Sequence, residues 1–357
     1  MNKILDSQSV LEVLRPVQDP ELRKSLVELN MIRNVQINDG GNVSFTLVLT
    51  TPACPLREFI VEDCQKAVKT LPGVTNVAVE VTAETPQQKS VPDRTGVPGV
   101  KNILAVSSGK GGVGKSTVAV NIAVALAQTG AKVGLLDADI YGPNDPTMLG
   151  LSDAQLVVHS SPNGEILEPA FNHGVKLVSM AFLIDKDQPV IWRGPMLNGI
   201  IRKFLYQVDW GELDYLIVDM PPGTGDAQLT LTQAVPMAGA VIVTTPQTVS
   251  LLDSRKGLRM FQQLNVPVLG IVENMSYFIP PDMPEKQYDI FGSGGGAKTA
   301  EELGVPLLGT IPLEISTRIG GDNGVPIVVA DPDSASAKAL RAIALNLAGK
   351  VSVAALV

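Results

Sequence analysis

Cysteine is scarce. Cys54 and Cys64 are the only two in 357 residues, too few for a disulfide framework and suited to a reducing compartment. Basic charge is also short: 28 Lys and Arg stand against 36 Asp and Glu, a formal net charge of -8. Nonspecific duplex binding therefore has little electrostatic support, and nucleic acid is not an expected partner. No uninterrupted apolar stretch approaches the roughly 20 residues of a membrane span. The opening run, Met1-Asn2-Lys3-Ile4-Leu5-Asp6-Ser7-Gln8, turns acidic before the apolar core of a signal peptide could form. A cytoplasmic protein without a membrane partner is expected, and there is no internal repeat. What is present, 45% hydrophobic residues, suffices for two compact domains with buried cores.

Residues Gly109-Lys110-Gly111-Gly112-Val113-Gly114-Lys115-Ser116-Thr117 fit the phosphate-loop pattern Gly-x4-Gly-Lys-Ser. The loop sits between an apolar run, Asn102 to Ser107, and a helix-like stretch, Ser116 to Gln128, the context that the pattern requires. Its glycines let successive backbone N–H groups point at one spot, and the following helix aims its positive end there. A polyphosphate is the natural occupant, with Lys115 reaching the β and γ oxygens and Ser116 placed to ligate the bridging Mg²⁺. Thr117 can add an α-phosphate contact. The pattern leaves position 110 free, so Lys110 is either a solvated lysine or a second cation for the phosphates.

Two acidic sites follow short apolar strands. Lys132 to Leu136 ends in Asp137-Ala138-Asp139, and Tyr215 to Val218 ends in Asp219-Met220-Pro221-Pro222-Gly223-Thr224-Gly225-Asp226. In open parallel sheets ligands collect outside the carboxyl ends of strands, so these loops can converge on one Mg-nucleotide. Asp219 reads as the Walker B acid holding Mg²⁺ through water, Asp137 as a supporting metal residue and Asp139 as the group that positions the attacking water. Gly223 and Gly225 give a γ-phosphate-sensing loop freedom to move. Taken singly, each acid also fits a cap or a turn.

The organisation predicted is a small α+β domain over residues 1–83, a Pro- and Gly-containing linker over 84–99, and an α/β domain over 100–357. The first comprises a helix Gln8 to Leu14, strands Met31 to Ile37 and Val43 to Leu49, a helix Leu56 to Thr70, and a strand Val77 to Val81. From Val100 onward strands alternate with helices, the pattern of a P-loop NTPase with a mainly parallel sheet flanked by helices. Gly292-Ser293-Gly294-Gly295-Gly296 lacks the Lys-Ser/Thr ending and reads as a flexible loop before a helix at Ala297 to Leu303.

The loop Gly109 to Thr117, the segment Trp192-Arg193-Gly194-Pro195-Met196, the run Trp210 to Asp226, and Glu273-Asn274-Met275-Ser276 together resemble the Mrp/ApbC family. These are deviant Walker A P-loop ATPases taken to be iron–sulfur cluster carriers or scaffolds. The amino-terminal domain resembles the PaaD/SufT-like domain. The resemblance implies that Lys110 crosses to the nucleotide of a facing subunit in a homodimer, stabilising transition-state charge. It also implies that Asn274 recognises adenine through its amide, with Ile311-Pro312-Leu313-Glu314 completing the pocket. Without the resemblance Asn274 also fits an ordinary strand-end turn.

One departure bears on the cargo. Cluster-binding members usually carry Cys-x-x-Cys shortly after Asn-Met-Ser, and here Pro280 and Met283 stand at those positions. Neither substitutes for the thiolates that hold Fe–S clusters. Cys54, in Thr51-Pro52-Ala53-Cys54-Pro55, resembles the reactive cysteine of PaaD/SufT-like domains and is a candidate Fe–S ligand whose pKa the following helix could lower; as a single thiol with no neighbouring His it fits an inert residue equally well. Cys64 falls within that helix and reads as a buried small hydrophobe.

These observations lead to the expectation of a slow ATP hydrolase requiring ATP and Mg²⁺, gated by nucleotide as a homodimer, with Fe–S assembly or recipient proteins as partners. Three competitors stand beside it: a cluster-free adaptor, a DNA- or membrane-positioning ATPase, and a small-molecule kinase. The positioning class would want a basic amphipathic tail, whereas Ala337 to Val357 holds only Lys338, Arg341 and Lys350 as cations.

Overall fold

The computed structural model describes residues 5–38, 40–140, 142–161, 164–183, 194–283 and 285–356. The chain divides into two compact units, one of residues 1–86 with 348–357 and one of residues 87–347.

The first unit begins with helix Ser7–Leu14, fixed at its start by a capping box in which Asp6 and Ser9 satisfy each other's backbone N–H groups. Strands Ile32–Asn38 and Asn42–Leu49 pair antiparallel. Helix Arg57–Val68 then carries the chain over to strand Asn76–Ala83, which pairs parallel with Asn42–Leu49. Val10, Leu14, Leu26, Phe45, Leu47, Ile60, Cys64 and Val68 meet in its core. These elements fall within two residues of those expected from sequence. Within this unit Ser352 Oγ donates to the Thr50 carbonyl at 3.2 Å, and a Cβ at Gly349 would lie 2.4 Å from Glu21 Oε1.

The second unit is built on eight strands in the spatial order Ala170–Asn172, Val175–Ser179, Val133–Asp137, Leu213–Asp219, Val100–Ser108, Gly239–Thr244, Val268–Glu273, Leu307–Thr310. Only the edge pair Ala170–Asn172 with Val175–Ser179 is antiparallel; the other neighbours run parallel. Leu213–Asp219 and Gly239–Thr244 are buried at every residue, as strands covered on both faces must be. Helix Lys115–Gln128 is buried continuously from Val118 to Leu126, which its run of Ala, Val, Ile and Leu permits. Among the described residues Trp210, Tyr215, Phe204 and Phe261 are the largest fully buried side chains, and Trp210 donates its indole N–H to the Phe204 carbonyl at 3.0 Å.

Sheet register positions the site. Asp219 lies directly opposite Asp137 on one neighbour and opposite Val106 on the other, and Ser179 lies opposite Asp137. Three adjacent strands thus end at one level. Chain connections reverse direction about Val100–Ser108, so the loop that follows it occupies the switch point of the sheet.

The stretch expected as a linker is tied to this unit by hydrogen bonds. Gln88 accepts from Ile103 N at 3.0 Å and donates to the Pro236 carbonyl at 2.6 Å, while Arg94 donates to the Leu264 carbonyl at 2.5 Å. A hairpin absent from the sequence reading, Val157–Ser161 with Gly164–Glu168, leaves Val157 and Val158 exposed.

Among the described residues one helix, Ala335–Leu356, is long and apolar enough to cross a membrane by length and composition. In sequence, Ala337 to Val357 has a helix-like pattern through Leu347 with Lys338, Arg341 and Lys350 as its only cations. In the helix Ala337, Leu340, Ile343, Ala344, Leu347, Ala348 and Val351 are buried, the three- and four-residue spacing of a helix packed on a protein core.

Candidate functional site

Between strand Val100–Ser108 and helix Lys115–Gln128, residues Gly109 to Gly114 form a tight loop, and two close contacts and two left-handed φ angles account for Gly109, Gly112 and Gly114. Gly112 and Gly114 adopt φ of 77° and 79°, which other residues rarely accept. A Cβ at Gly109 would come within 2.1 Å of the Asp253 backbone, and one at Gly114 within 2.2 Å of Asn274 Nδ2. Gly111 and Gly112 face open space instead, so the concave side of the loop is clear for a ligand. That side opens on a cavity of about 350 Å³ lined by Lys110, Gly111, Gly112, Lys115, Ser116, Thr117, Asp139 and Pro222, among others.

The acids lie beneath it. Lys115 Nζ donates to Asp219 Oδ1 at 2.8 Å and stands 3.4 Å from Asp139 Oδ2. Ser116 Oγ donates to Asp219 Oδ2 at 2.5 Å. Burial pulls the Lys115 ammonium down, but the charges of Asp219, Asp139 and Asp145 and the Asp219 hydrogen bond outweigh it and hold the lysine more basic than usual. Burial pushes Asp219 up against the pull of Lys115 and Ser116. Asp137 rises for the same reason, with the Asp219 charge added, although Ser179 Oγ donates to it at 2.8 Å. The Asp139 N–H donates back to Asp137 Oδ1 at 3.2 Å, fixing the turn between the two acids.

A second cavity, about 460 Å³, adjoins the first and shares Gly114, Thr117, Asn144 and Met148 with it. Its walls include Val118, Met275, Ile311, Pro312, Leu313 and Glu314. A polar phosphate-sized cleft running into an apolar pocket has the shape and chemistry of a nucleotide site. Asn274 lines the pocket, but its amide donates to the Val113 carbonyl at 2.9 Å, so one donor is committed to bracing the phosphate loop.

Comparison with known proteins agrees with this geometry. A family described as NUBPL iron-transfer P-loop NTPase matches residues 99–348, and a family described as iron-sulfur cluster assembly protein matches residues 7–81. The chain belongs to the NUBPL iron-transfer P-loop NTPase family. It is 79% identical to the iron-sulfur cluster carrier protein of a Synechocystis species, over 99% of this chain and 100% of that one. It is 49% identical to the iron-sulfur cluster carrier protein of Deinococcus radiodurans, over 97% and 96% of the two chains. Among solved structures it resembles a nucleotide-binding protein of Archaeoglobus fulgidus in complex with ADP, at 39% identity and a TM-score of 0.57, covering 67% of this chain and 91% of that one. The resemblance read from the loop and strand-end motifs is the one these matches show.

Within this NUBPL-family chain the remaining expected residues are placed as follows. Lys110 is half-buried on the rim of the phosphate cavity, its carbonyl accepting from Ser108 Oγ at 2.9 Å. Gly223 donates its N–H to the Ser108 carbonyl at 2.9 Å, bringing the Pro221 to Gly225 loop against the phosphate loop. Trp192 and Arg193 lie outside the described residues. Pro280 and Met283 close one turn, Met283 N donating to the Pro280 carbonyl at 3.1 Å, with Met283 exposed.

For Cys54 the structure corrects the expected acidity. Burial pushes the thiol up, the Leu56 backbone N–H opposes this, and the charges of Glu21 and Asp19 add to the rise. The helix start does not prevail, chiefly because the sulfur is desolvated, with the two acids adding to the rise. Cys64 is fully buried and its thiol is pushed up to about 12 by desolvation, as befits a core residue.

Two residues escaped the sequence reading. Asp145 opens the short helix Asp145–Met148 and is fully buried; within Asn-Asp-Pro it reads as a turn former, and nothing in the local sequence signals burial. Gln228, also fully buried, donates to Ser107 Oγ at 3.2 Å and to the Pro221 carbonyl, tying the mobile-looking Pro-Pro-Gly-Thr-Gly stretch to the central strand.

Proposed function

We propose that the chain is an ATPase whose nucleotide state gates iron–sulfur cluster carriage or assembly by a homodimer. The observation that carries the nucleotide half is the phosphate cavity lined by Lys115 and Ser116, both hydrogen-bonded to the buried Asp219, and adjoining an apolar pocket of base size. The cargo half rests on family membership and on relatives whose names say that they carry clusters.

Backbone amides of Gly111 to Ser116 and the Lys115 ammonium would neutralise the β and γ phosphates. For this the ammonium shifts its contact from Asp219 to the phosphate oxygens, leaving Asp219 for the metal. Ser116 and Asp219 present adjacent hard oxygens that fit Mg²⁺, with Asp137 behind them; bound there, Mg²⁺ would neutralise developing phosphate charge. Asp139, at the cavity edge, orients the water whose oxygen attacks the γ phosphorus as the bond to the β-phosphate oxygen breaks. Lys110 of a facing protomer supplies the last positive charge. Hydrolysis is slow because that lysine contributes only after docking. Adenine occupies the cavity beside Asn274 and Pro312.

A second reading, a nucleotide-gated adaptor without a cluster, is favoured by the turn Pro280 to Met283, which offers no thiolate. Anaerobic reconstitution with iron and sulfide quantified per chain, on the wild type and on a Cys54→Ser, Cys64→Ser double variant, separates the two. Cluster loading that the double variant loses supports carriage with a ligand outside the usual turn. Absence of loading in the wild type leaves the adaptor.

A further inference from the structure

Asp145 is a buried carboxylate with both oxygens inaccessible and neither hydrogen-bonded. Such a group is costly unless something satisfies it. Its own element gives it no cation, and the nearest groups are acids: ligand oxygens of Asp137, Asp145 and Asp219 all lie within 4.8 Å of one another. Asp139 and Lys115 border the cluster, the ammonium engaged with Asp219 at 2.8 Å and with Asp139 at 3.4 Å. Asp137 is already held from two sides, by Ser179 Oγ at 2.8 Å and by backbone N–H groups of Asp139 and Asp145 at 3.2 and 3.4 Å, so its orientation toward Asp145 is fixed.

We propose that Asp137, Asp145 and Asp219 form a binding site for a hard divalent cation of Mg²⁺ or Mn²⁺ size, filled without nucleotide. Three carboxylates from three separate chain segments, with one donating both oxygens to nothing else, make an oxygen-only ligand set that suits such ions and disfavours soft metals. The site shares Asp137 and Asp219 with the nucleotide's own metal position and adds Asp145, whose buried oxygens accept no hydrogen bond and which can therefore hold an ion before any phosphate arrives. Lys115 competes for Asp219, so the ammonium and the ion oppose each other. A cation held here would keep Asp219 oriented while Lys115 turns toward phosphate.

The test is Mn²⁺ titration of nucleotide-free protein, with free Mn²⁺ read by electron paramagnetic resonance and absence of nucleotide checked by absorbance. The wild type should take up one Mn²⁺ per chain. Asp145→Asn should bind at least about tenfold more weakly, and Lys115→Met should bind more tightly because the competing charge is gone. No uptake by the wild type would overturn the proposal, as would equal affinity in Asp145→Asn. If Asp145→Asn does not fold, the wild-type uptake and the direction of the Lys115→Met change still decide. Mg-ATP binding, measured separately on the wild type, tests the nucleotide reading independently of these outcomes.

Discussion

Gly112 and Gly114 offer a matched pair of substitutions. Their φ angles, 77° and 79°, are nearly the same, so alanine at either position pays a similar left-handed backbone penalty, about 1–2 kcal/mol. Their surroundings differ completely. A Cβ at Gly112 meets nothing within 4 Å, whereas one at Gly114 would lie 2.2 Å from Asn274 Nδ2 and 3.5 Å from its Cγ. The Asn274 amide must then leave the Val113 carbonyl, adding about 1–3 kcal/mol for a buried hydrogen bond lost. Gly114→Ala should therefore cost about 2–5 kcal/mol and Gly112→Ala only about 1–2 kcal/mol. Both tryptophans, Trp192 and Trp210, fall in the 87–347 unit, so urea unfolding followed by tryptophan fluorescence reports that unit alone. Nucleotide affinity should rank the other way: the Gly112 methyl group projects into the phosphate cavity, so that variant binds ATP poorly despite its stability. Asn274→Ala combined with Gly114→Ala should lose less than the two separate costs together, since both break one contact. Equal destabilisation by the two glycine variants, or simple additivity with Asn274→Ala, would refute this account of the loop.

The buried acids set a pH dependence. Asp137 is pushed up to about 8 by burial and by Asp219, and Asp145 and Asp219 are raised as well. The folded chain therefore keeps protons that the unfolded chain releases above about pH 4. Stability from these groups is present at low pH and is lost as pH climbs toward 8, by up to about 1.4 kcal/mol per unit for each proton held. Urea unfolding of the nucleotide-free protein at pH 6 and pH 8 should show the fall, with Asp137→Asn flattening it; stability that is constant or rises over this range contradicts the reasoning. Lys110→Ala should retain ATP binding by calorimetry yet lose turnover, and wild-type specific activity should rise with protein concentration. Retained ATPase activity in the variant would remove the cross-subunit role. Trp210→Phe should destabilise the 87–347 unit by about 1–3 kcal/mol, through the Phe204 carbonyl left without its indole donor, as followed by circular dichroism.

Much of this site is legible because its chemistry is local. The phosphate loop announces itself through glycine spacing and the lysine, and Asp137 and Asp219 through the apolar strands they terminate. Periodicity likewise exposes the alternating strands and helices. What stayed hidden depends on distant segments. Asp145 becomes a site residue only because sheet register puts Asp137 and Asp219 side by side and the following turn folds back over them. Gln228 matters through contacts with Ser107 and Pro221, which sequence spacing does not reveal. The acidity of Cys54 is not legible in sequence because a helix start shows there while the burial of the sulfur, and the approach of Glu21 and Asp19, do not. Residues 84–99 read as a linker from composition, yet Gln88 and Arg94 hydrogen-bond the nucleotide-binding unit through partners more than 100 positions away.

The most direct test of the central claim is calorimetric titration of nucleotide-stripped protein with Mg-ATP, on the wild type and on Lys115→Ala. One nucleotide bound per chain, with affinity falling at least about a hundredfold in the variant, as loss of a buried charged partner of phosphate requires, is the result predicted. Absence of binding to the wild type, or the same affinity in both proteins, would contradict it.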